Sequence, residues 1–282
     1  MKKVTIVLIV ILSNFILFSC ASDDGSNQPV NPIEINKLVK SEKVSENLKV
    51  EYVYNDKDFL SSVTGTYSNF GYTSNYIYDS NDELTEWNYQ ETGSSTYSDT
   101  QNFIYDSQGR LTNYVANTEN VTLAYNGDIV TLTGTIEGSS NSEAKIELNK
   151  AGFIIKFTES NQYTNFEYDL NGNMITAKSY DHNDNLIIEF TIGYDNKINP
   201  FYGQFNSIYI ERFIEFFWKF NGIHVNGFEG YSFPFFKNNI ISITENAAVI
   251  TAYAYTYDNE DFPMNVNETS SGNSFVFDIE YY

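Results

Sequence analysis

The sequence predicts a mainly β chain, an antiparallel meander of repeated β-hairpins forming a curved sheet, with one C-terminal helix packed on it. Three observations predict this. Tyr and Phe, which favour strands, number 23 and 22 among 282 residues, against only 5 Pro to interrupt them. A unit of tyrosine, acid and turn residues recurs through the middle of the chain. A single stretch in the C-terminal third carries helical spacing.

The chain opens with Lys2-Lys3, an apolar run from Val4 to Phe18, and Ser19-Cys20. A positive end, an apolar stretch and a small residue before a cut are the parts of a secretory signal peptide. Ser13-Asn14 interrupts the run, and it falls short of the roughly 20 apolar residues that a membrane-spanning helix needs. Cys20 is the single cysteine, so no intramolecular disulfide can form. Leu17-Phe18-Ser19-Cys20 resembles the lipobox of bacterial lipoproteins, with bulky Phe18 departing from the usual small residue. The resemblance implies a signal peptide over residues 1–19, lipidation at Cys20 and attachment to the outer membrane through acyl chains. Ser22-Asp23-Asp24 resembles the short acidic export signal that carries some lipoproteins to the outer face of that membrane, which implies a surface location. A periplasm-facing anchor is the alternative. Residues 20–35, acidic at first and with Pro29 and Pro32 later, read as a flexible tether. Residues 36–282 read as a single β-rich domain.

The repeat occupies about residues 50–195. Its unit is a Tyr, an Asp or Asn, three turn residues, a variable residue and an apolar residue six positions after the Tyr. Copies are Tyr54-Asn55 with Leu60, Tyr78-Asp79 with Leu84, Tyr105-Asp106 with Leu111, Tyr168-Asp169 with Met174 and Tyr180-Asp181 with Leu186. Leu148-Asn149 with Ile154 lacks the Tyr, and Tyr125-Asn126-Gly127-Asp128 is shortened. Tyr194-Asp195 and Tyr257-Asp258 begin the unit and then diverge. Four residues after the first position stands Asp58, Asp82, Gly109, Gly152, Gly172 or Asp184, the types that tolerate a left-handed backbone in a turn. The acid after the Tyr is placed to bond the turn backbone two residues on. Most copies recur every 20–27 residues, which fits two strands and two turns, so each unit predicts one hairpin laid beside the next. An open sheet of this kind must curl, pair or be covered at its edges.

Tyr105-Asp106-Ser107-Gln108-Gly109-Arg110-Leu111 and Tyr168-Asp169-Leu170-Asn171-Gly172-Asn173-Met174 resemble the YD repeats of Rhs-type bacterial surface proteins. Rhs proteins are far longer and wrap a shell around a toxin, and this chain is too short for that. It looks more like the small repeat-bearing lipoproteins of Gram-negative surfaces. That similarity implies a fold and a location, and no activity.

From about residue 200 to 244 the chain is aromatic-dense. Within it Ile208 to Phe220 has helical periodicity, with Glu211, Glu215 and Lys219 spaced by four and Arg212 beside them. Ile210, Phe213, Ile214, Phe217 and Trp218 fall on the remaining surface. The pattern predicts a helix covering the sheet or its edge, with Phe213, Phe217 and Trp218 inward and the Glu and Lys stripe outward. Strands close the chain over residues 245–282. The last of them puts Phe275, Phe277, Ile279 and Tyr281 on one face.

The formal net charge is −21, and loss of residues 1–19 removes Lys2 and Lys3, leaving 14 basic against 37 acidic residues. Such a surface repels nucleic acid and anionic headgroups, so membrane association must come from the acyl chains. Only His182 and His224 are present as histidines. No Gly-x-Ser-x-Gly elbow and no His-x-x-x-His pair occurs, so the expectation is no enzyme, no cofactor and no metal site. The oxygen-rich turns at 79–83 and 181–185 suit Ca²⁺ by chemistry, but they depart from an EF-hand, and turn capping explains them more simply. Trp87 and Trp218 are the candidate aromatic binding surface, of the kind that stacks on sugars or on a protein partner. The expected role is binding or adhesion to a glycan or protein. A ligand-free envelope scaffold is the alternative, followed by a carbohydrate-active enzyme.

Overall fold

The structure, a computed structural model, describes residues 37–94, 96–136, 138–217, 234–270 and 272–282. Eighteen strands run through the described residues. They begin with β1 (Val39–Ser45), β2 (Leu48–Tyr54), β3 (Leu60–Tyr67), β4 (Phe70–Tyr78), β5 (Leu84–Gly93) and β6 (Ser98–Tyr105). The chain continues through β7 (Leu111–Val115), β8 (Asn120–Asn126), β9 (Ile129–Ile136), β10 (Ser139–Leu148), β11 (Ile154–Thr158) and β12 (Gln162–Tyr168). Strands β13 (Met174–Asp181) and β14 (Leu186–Ile198) follow. The 3-10 turn Asn206–Ile208 and helix α1 (Tyr209–Phe217) then precede β15 (Asn238–Glu245), β16 (Ala248–Tyr257), β17 (Pro263–Ser270) and β18 (Asn273–Tyr281).

Each strand pairs antiparallel with the next, and β18 returns to β1 with Val39 opposite Tyr281 and Lys43 opposite Asp278. The meander is therefore a closed barrel. This corrects the curved, open sheet expected from the sequence. Closure removes the two edges that an open meander exposes. It depends on a strand upstream of the first repeat. The seam is fastened by the Tyr282 amide on the Leu38 carbonyl (3.1 Å) and by Lys37, which pairs with Asp258 (2.6 Å) and Glu260.

The repeat turns follow one geometry. Asp106 Oδ1 accepts the Gln108 and Arg110 amides at 2.9 and 3.1 Å, while the Asp106 amide donates to the Arg110 carbonyl and the Gly109 amide to the Asp106 carbonyl. Asn55, Asp79, Asn149, Asp169, Asp181 and Asp258 each accept amides two and four residues on in the same way. The fourth residue after each of these units begins takes positive φ, from Asp184 at 63° to Gly172 at 84°, as the residue types predict. The carboxylates of Asp79 and Asp181 are spent on turn amides. Most of these turns share one rim of the barrel, called here the Tyr–Asp rim. The 180–186 copy joins β13 to β14 and lies on the opposite rim, so it is a hairpin of similar chemistry in the reverse direction.

Side chains alternate inward and outward, and the inward set forms the core, with Tyr52, Leu60, Leu84, Tyr114, Leu132, Ile146, Phe157 and Phe190 fully buried. The outward set is mixed: Lys156 stands opposite Glu147 and Lys178 opposite Glu189, while Val53, Ile77, Ile104 and Val276 are exposed apolar residues.

The helix lies inside the barrel, which corrects its expected place on or beside the sheet. The segment leading into it and its first turn reach opposite walls. Gln204 accepts the Leu60 amide and donates to the Asp58 carbonyl (both 2.9 Å), and Ser207 accepts the Leu84 amide (3.1 Å). Across the interior, the Tyr209 hydroxyl accepts the Ile154 amide (3.2 Å), and the Phe213 ring meets Phe166 edge-on at 4.9 Å. A plug of this kind fills the wide bore that eighteen strands enclose. Phe213 and Ile214 are buried and Glu215 is exposed, as the periodicity predicts. Glu211, expected outward, is buried at 3% exposure. The barrel wall encloses the first turns of the helix and leaves Glu215 exposed, so the buried Glu211 and Arg212 must pair with each other. The side chain of Phe217 and all of Trp218 and Lys219 lie outside the described residues.

Candidate functional site

The rim opposite the Tyr–Asp turns is uneven because its strands differ in length. β4 and β5 pair as far as Phe70 and Gly93, and β9 and β10 as far as Ile136 and Ser139. Between these tall hairpins β7 has only five residues and turns back at Val115. The wall dips there and opens a groove of about 320 Å³ onto the side of α1. Strands β5 and β6 bring Trp87, Tyr89, Asp99 and Gln101, with Tyr97 just ahead of β6. The β7–β8 turn brings Glu119, and the helix brings Glu211, Arg212 and Glu215.

Arg212 organises the floor. Its Nε and Nη2 donate to the two carboxylate oxygens of Glu211, both at 2.7 Å, and Nη2 also pairs with Glu215. Its guanidinium lies 4.4 Å over the Trp87 ring. Gln101 Nε2 completes Glu211 at 2.8 Å. Burial opposes the charge on Arg212, but Glu211 and Glu215 more than offset that and raise its pKa above the ordinary guanidinium value, so Arg212 keeps its charge. Trp87 is held by its ring faces, between Arg212 and the near-parallel Phe205 ring at 6.4 Å, with Tyr76 at 5.4 Å. Its indole N–H is buried without an acceptor among the described residues. Tyr89 stacks on Tyr72 at 5.6 Å and approaches Tyr97 at 6.2 Å. Tyr97 stands 49% exposed at the lip and donates its hydroxyl to Asp99 (3.2 Å), which also accepts the Asn117 amide (3.0 Å).

The groove joins aromatic rings to carboxylates and has Arg212 as its cation. That chemistry suits neutral or cationic ligands and disfavours anionic ones. Among the described residues no cluster of His, Cys, Asp or Glu is arranged to hold a metal ion. His182 lies exposed in the β13–β14 turn, remote in sequence from every residue of the groove.

Of the sequence-derived candidates, Trp87 stands in the groove wall, with its ring turned to the interior more than to solvent. Trp218, Cys20, Ser22, Asp23, Asp24 and His224 lie outside the described residues. Reading the sequence missed Tyr97, Asp99, Gln101 and the burial of the Glu211–Arg212 pair. The one available signal was an arginine inside an aromatic run, flanked by glutamates at one and three positions.

No family model and no curated protein matches the chain. Among solved structures, a porin-like protein from Bacteroides vulgatus is 11% identical over 87% of this chain and 99% of its own, with a TM-score of 0.39. A porin-like protein from Bacteroides uniformis is 12% identical over 86% and 97%, with a TM-score of 0.35. The Tc holotoxin pore of Photorhabdus luminescens is 10% identical over 82% of this chain and 10% of its own, with a TM-score of 0.30.

Proposed function

We propose that the chain is a lipid-anchored binding module of the outer membrane, facing outward and presenting the groove at Trp87, Tyr97 and Arg212 to a glycan or protein ligand. The observation that carries this reading is the groove's position. The chain enters the barrel at Lys37, on the Tyr–Asp rim beside Asp258, and the groove opens at the opposite rim. A tether over residues 20–35 would leave the groove on the side away from the membrane. Ion pairs along the outer wall, Lys156 with Glu147 and Lys178 with Glu189, favour attachment through Cys20 over attachment through the strands.

The scaffold alternative needs no groove, and the enzyme alternative needs carboxylates available to a substrate. Glu211 is committed to Arg212 and Gln101, and Asp99 to Tyr97 and the Asn117 amide, which favours binding over catalysis. A glycan array and a pull-down with residues 36–282, which hold the whole barrel, test the reading against Tyr97→Ala. Ligand capture that Tyr97→Ala abolishes supports it. Capture indifferent to Tyr97→Ala, or none at all, refutes it. Cys20→Ala should release the protein from membranes, and replacing Asp23-Asp24 by Ala should protect it from protease shaving of intact cells.

A further inference from the structure

We infer that the groove takes an organic cation, an arginine or lysine side chain on an extended basic segment of a partner protein. The inference rests on the binding reading above and names its ligand class. The groove already shows this chemistry once. Arg212 lies flat on Trp87 at 4.4 Å with Glu211 and Glu215 about its edge, a ring face and two carboxylates around one guanidinium. Toward the lip the Tyr97 ring approaches Tyr89 and its hydroxyl donates to Asp99, and Glu119 lines the same groove. Among the described residues four carboxylates line the groove against one arginine, and that arginine is bound to two of them. An incoming cation meets ring faces and residual negative charge, the two features that stabilise guanidinium and alkylammonium groups together. A phosphate, sulfate or uronic acid meets carboxylates with no uncommitted cation among the described residues of the groove. The net charge of −21 steers basic ligands toward the molecule as a whole.

The test is calorimetric titration of the full chain, in mild detergent, with a short arginine–glycine peptide and with its citrulline counterpart. Citrulline keeps the shape and removes the charge. General attraction to an acidic protein is controlled by Glu143→Gln with Glu147→Gln on the outer wall of β10, away from the groove. Tyr97→Ala and Asp99→Asn should each weaken the arginine peptide about fivefold or more, while the outer-wall pair changes it less than about twofold. Raising salt from about 50 to about 300 mM should weaken it as well. Equal binding of the citrulline peptide, groove variants no worse than the outer-wall pair, or binding of spermidine without the peptide would each overturn the inference. Groove-dependent glycan capture without peptide binding would leave the binding module standing and remove only its assigned ligand.

Discussion

The Tyr105 hydroxyl donates to the Leu84 carbonyl oxygen at 2.6 Å, so the tyrosine of one repeat bonds the apolar position of the repeat before it. The relation recurs around the Tyr–Asp rim. Tyr78 bonds Leu60, Tyr125 bonds Leu111, Tyr168 bonds Ile154 and Tyr194 bonds Met174. Tyr255 bonds Ile240 and Tyr281 bonds Pro263. The fifth position after a unit begins adds a ring contact. Phe59 stacks on Tyr78, Phe153 on Tyr168, and the Arg110 guanidinium lies 4.5 Å over Tyr125. Burial pushes these phenols well above their ordinary range, so they remain protonated donors. The repeat unit is thus a latch as well as a turn, and it fastens neighbouring strands at the rim, beyond the last paired residues of their shared ladder.

Tyr105→Phe keeps the ring and removes the latch, leaving the Leu84 carbonyl without that donor. It should cost about 1–2 kcal/mol. Tyr163→Phe, whose hydroxyl meets exposed Asp184 on the outer wall, should cost only tenths of a kcal/mol. Denaturant melts of the two variants check the order, and equal effects would show that the latch is not a stabilising bond.

How much of this was legible in the sequence follows from range. The turn chemistry at Asp106 and Gly109 lies within a few residues, and the Tyr–Leu spacing announces it. The final strand was legible because Phe277 and Ile279 alternate with exposed residues. Closure was not legible, since it depends on Val39 meeting Tyr281 across the whole chain, and no local pattern encodes that register. The helix was legible but its surroundings were not. Glu211 looks solvent-facing by periodicity, and only the neighbouring Arg212 permits its burial. The groove arises from the unequal lengths of β7 and its neighbours, and strand lengths are the least readable part of a repeat.

Gly109 sits at φ +75°, and a Cβ there would meet Glu83 Oε1 at 2.7 Å. Gly127 sits at φ +60° with nothing within 4 Å. Gly109→Val should therefore cost about 2 kcal/mol, combining left-handed strain with displacement of Glu83, and Gly127→Ala about 1 kcal/mol from strain alone. Thermal melts decide it, and an unchanged midpoint for Gly109→Val would remove the turn assignment.

Acid should loosen the rim turns. Burial raises the Asp106 pKa, but the Arg110 side chain and the Arg110 and Gln108 amides outweigh it and hold the carboxyl below its ordinary value. Lys37 does the same for Asp258. A carboxyl with a depressed folded pKa stabilises the protein fully above its unfolded value, about 3.9, and the contribution is lost as pH falls through the folded pKa. Asp106→Asn should be less stable than the natural chain at neutral pH, and the gap should close as pH falls through the lowered Asp106 pKa. A gap that widens in acid would contradict the sign.

Two glutamates one turn apart on α1 should differ in what they contribute to stability. Glu211 is buried and binds both Arg212 nitrogens, while Glu215 reaches the same guanidinium from an exposed position. The Arg212 charge is 7% exposed and cannot be shed, because its pKa is raised and not lowered. Glu211→Ala leaves that charge without its bidentate partner and orphans Gln101 Nε2, so it should cost about 3–5 kcal/mol. Glu215→Ala removes a partly solvated contact and should cost less than about 1 kcal/mol. Replacing the pair together, Glu211→Leu with Arg212→Met, removes both charges at similar volume and should recover most of the loss. The double replacement also takes the guanidinium off Trp87, so tryptophan fluorescence should change even where stability returns. Glu215→Ala costing more than Glu211→Ala, or a double variant no better than Glu211→Ala, would refute the buried ion pair as the fastening of the plug.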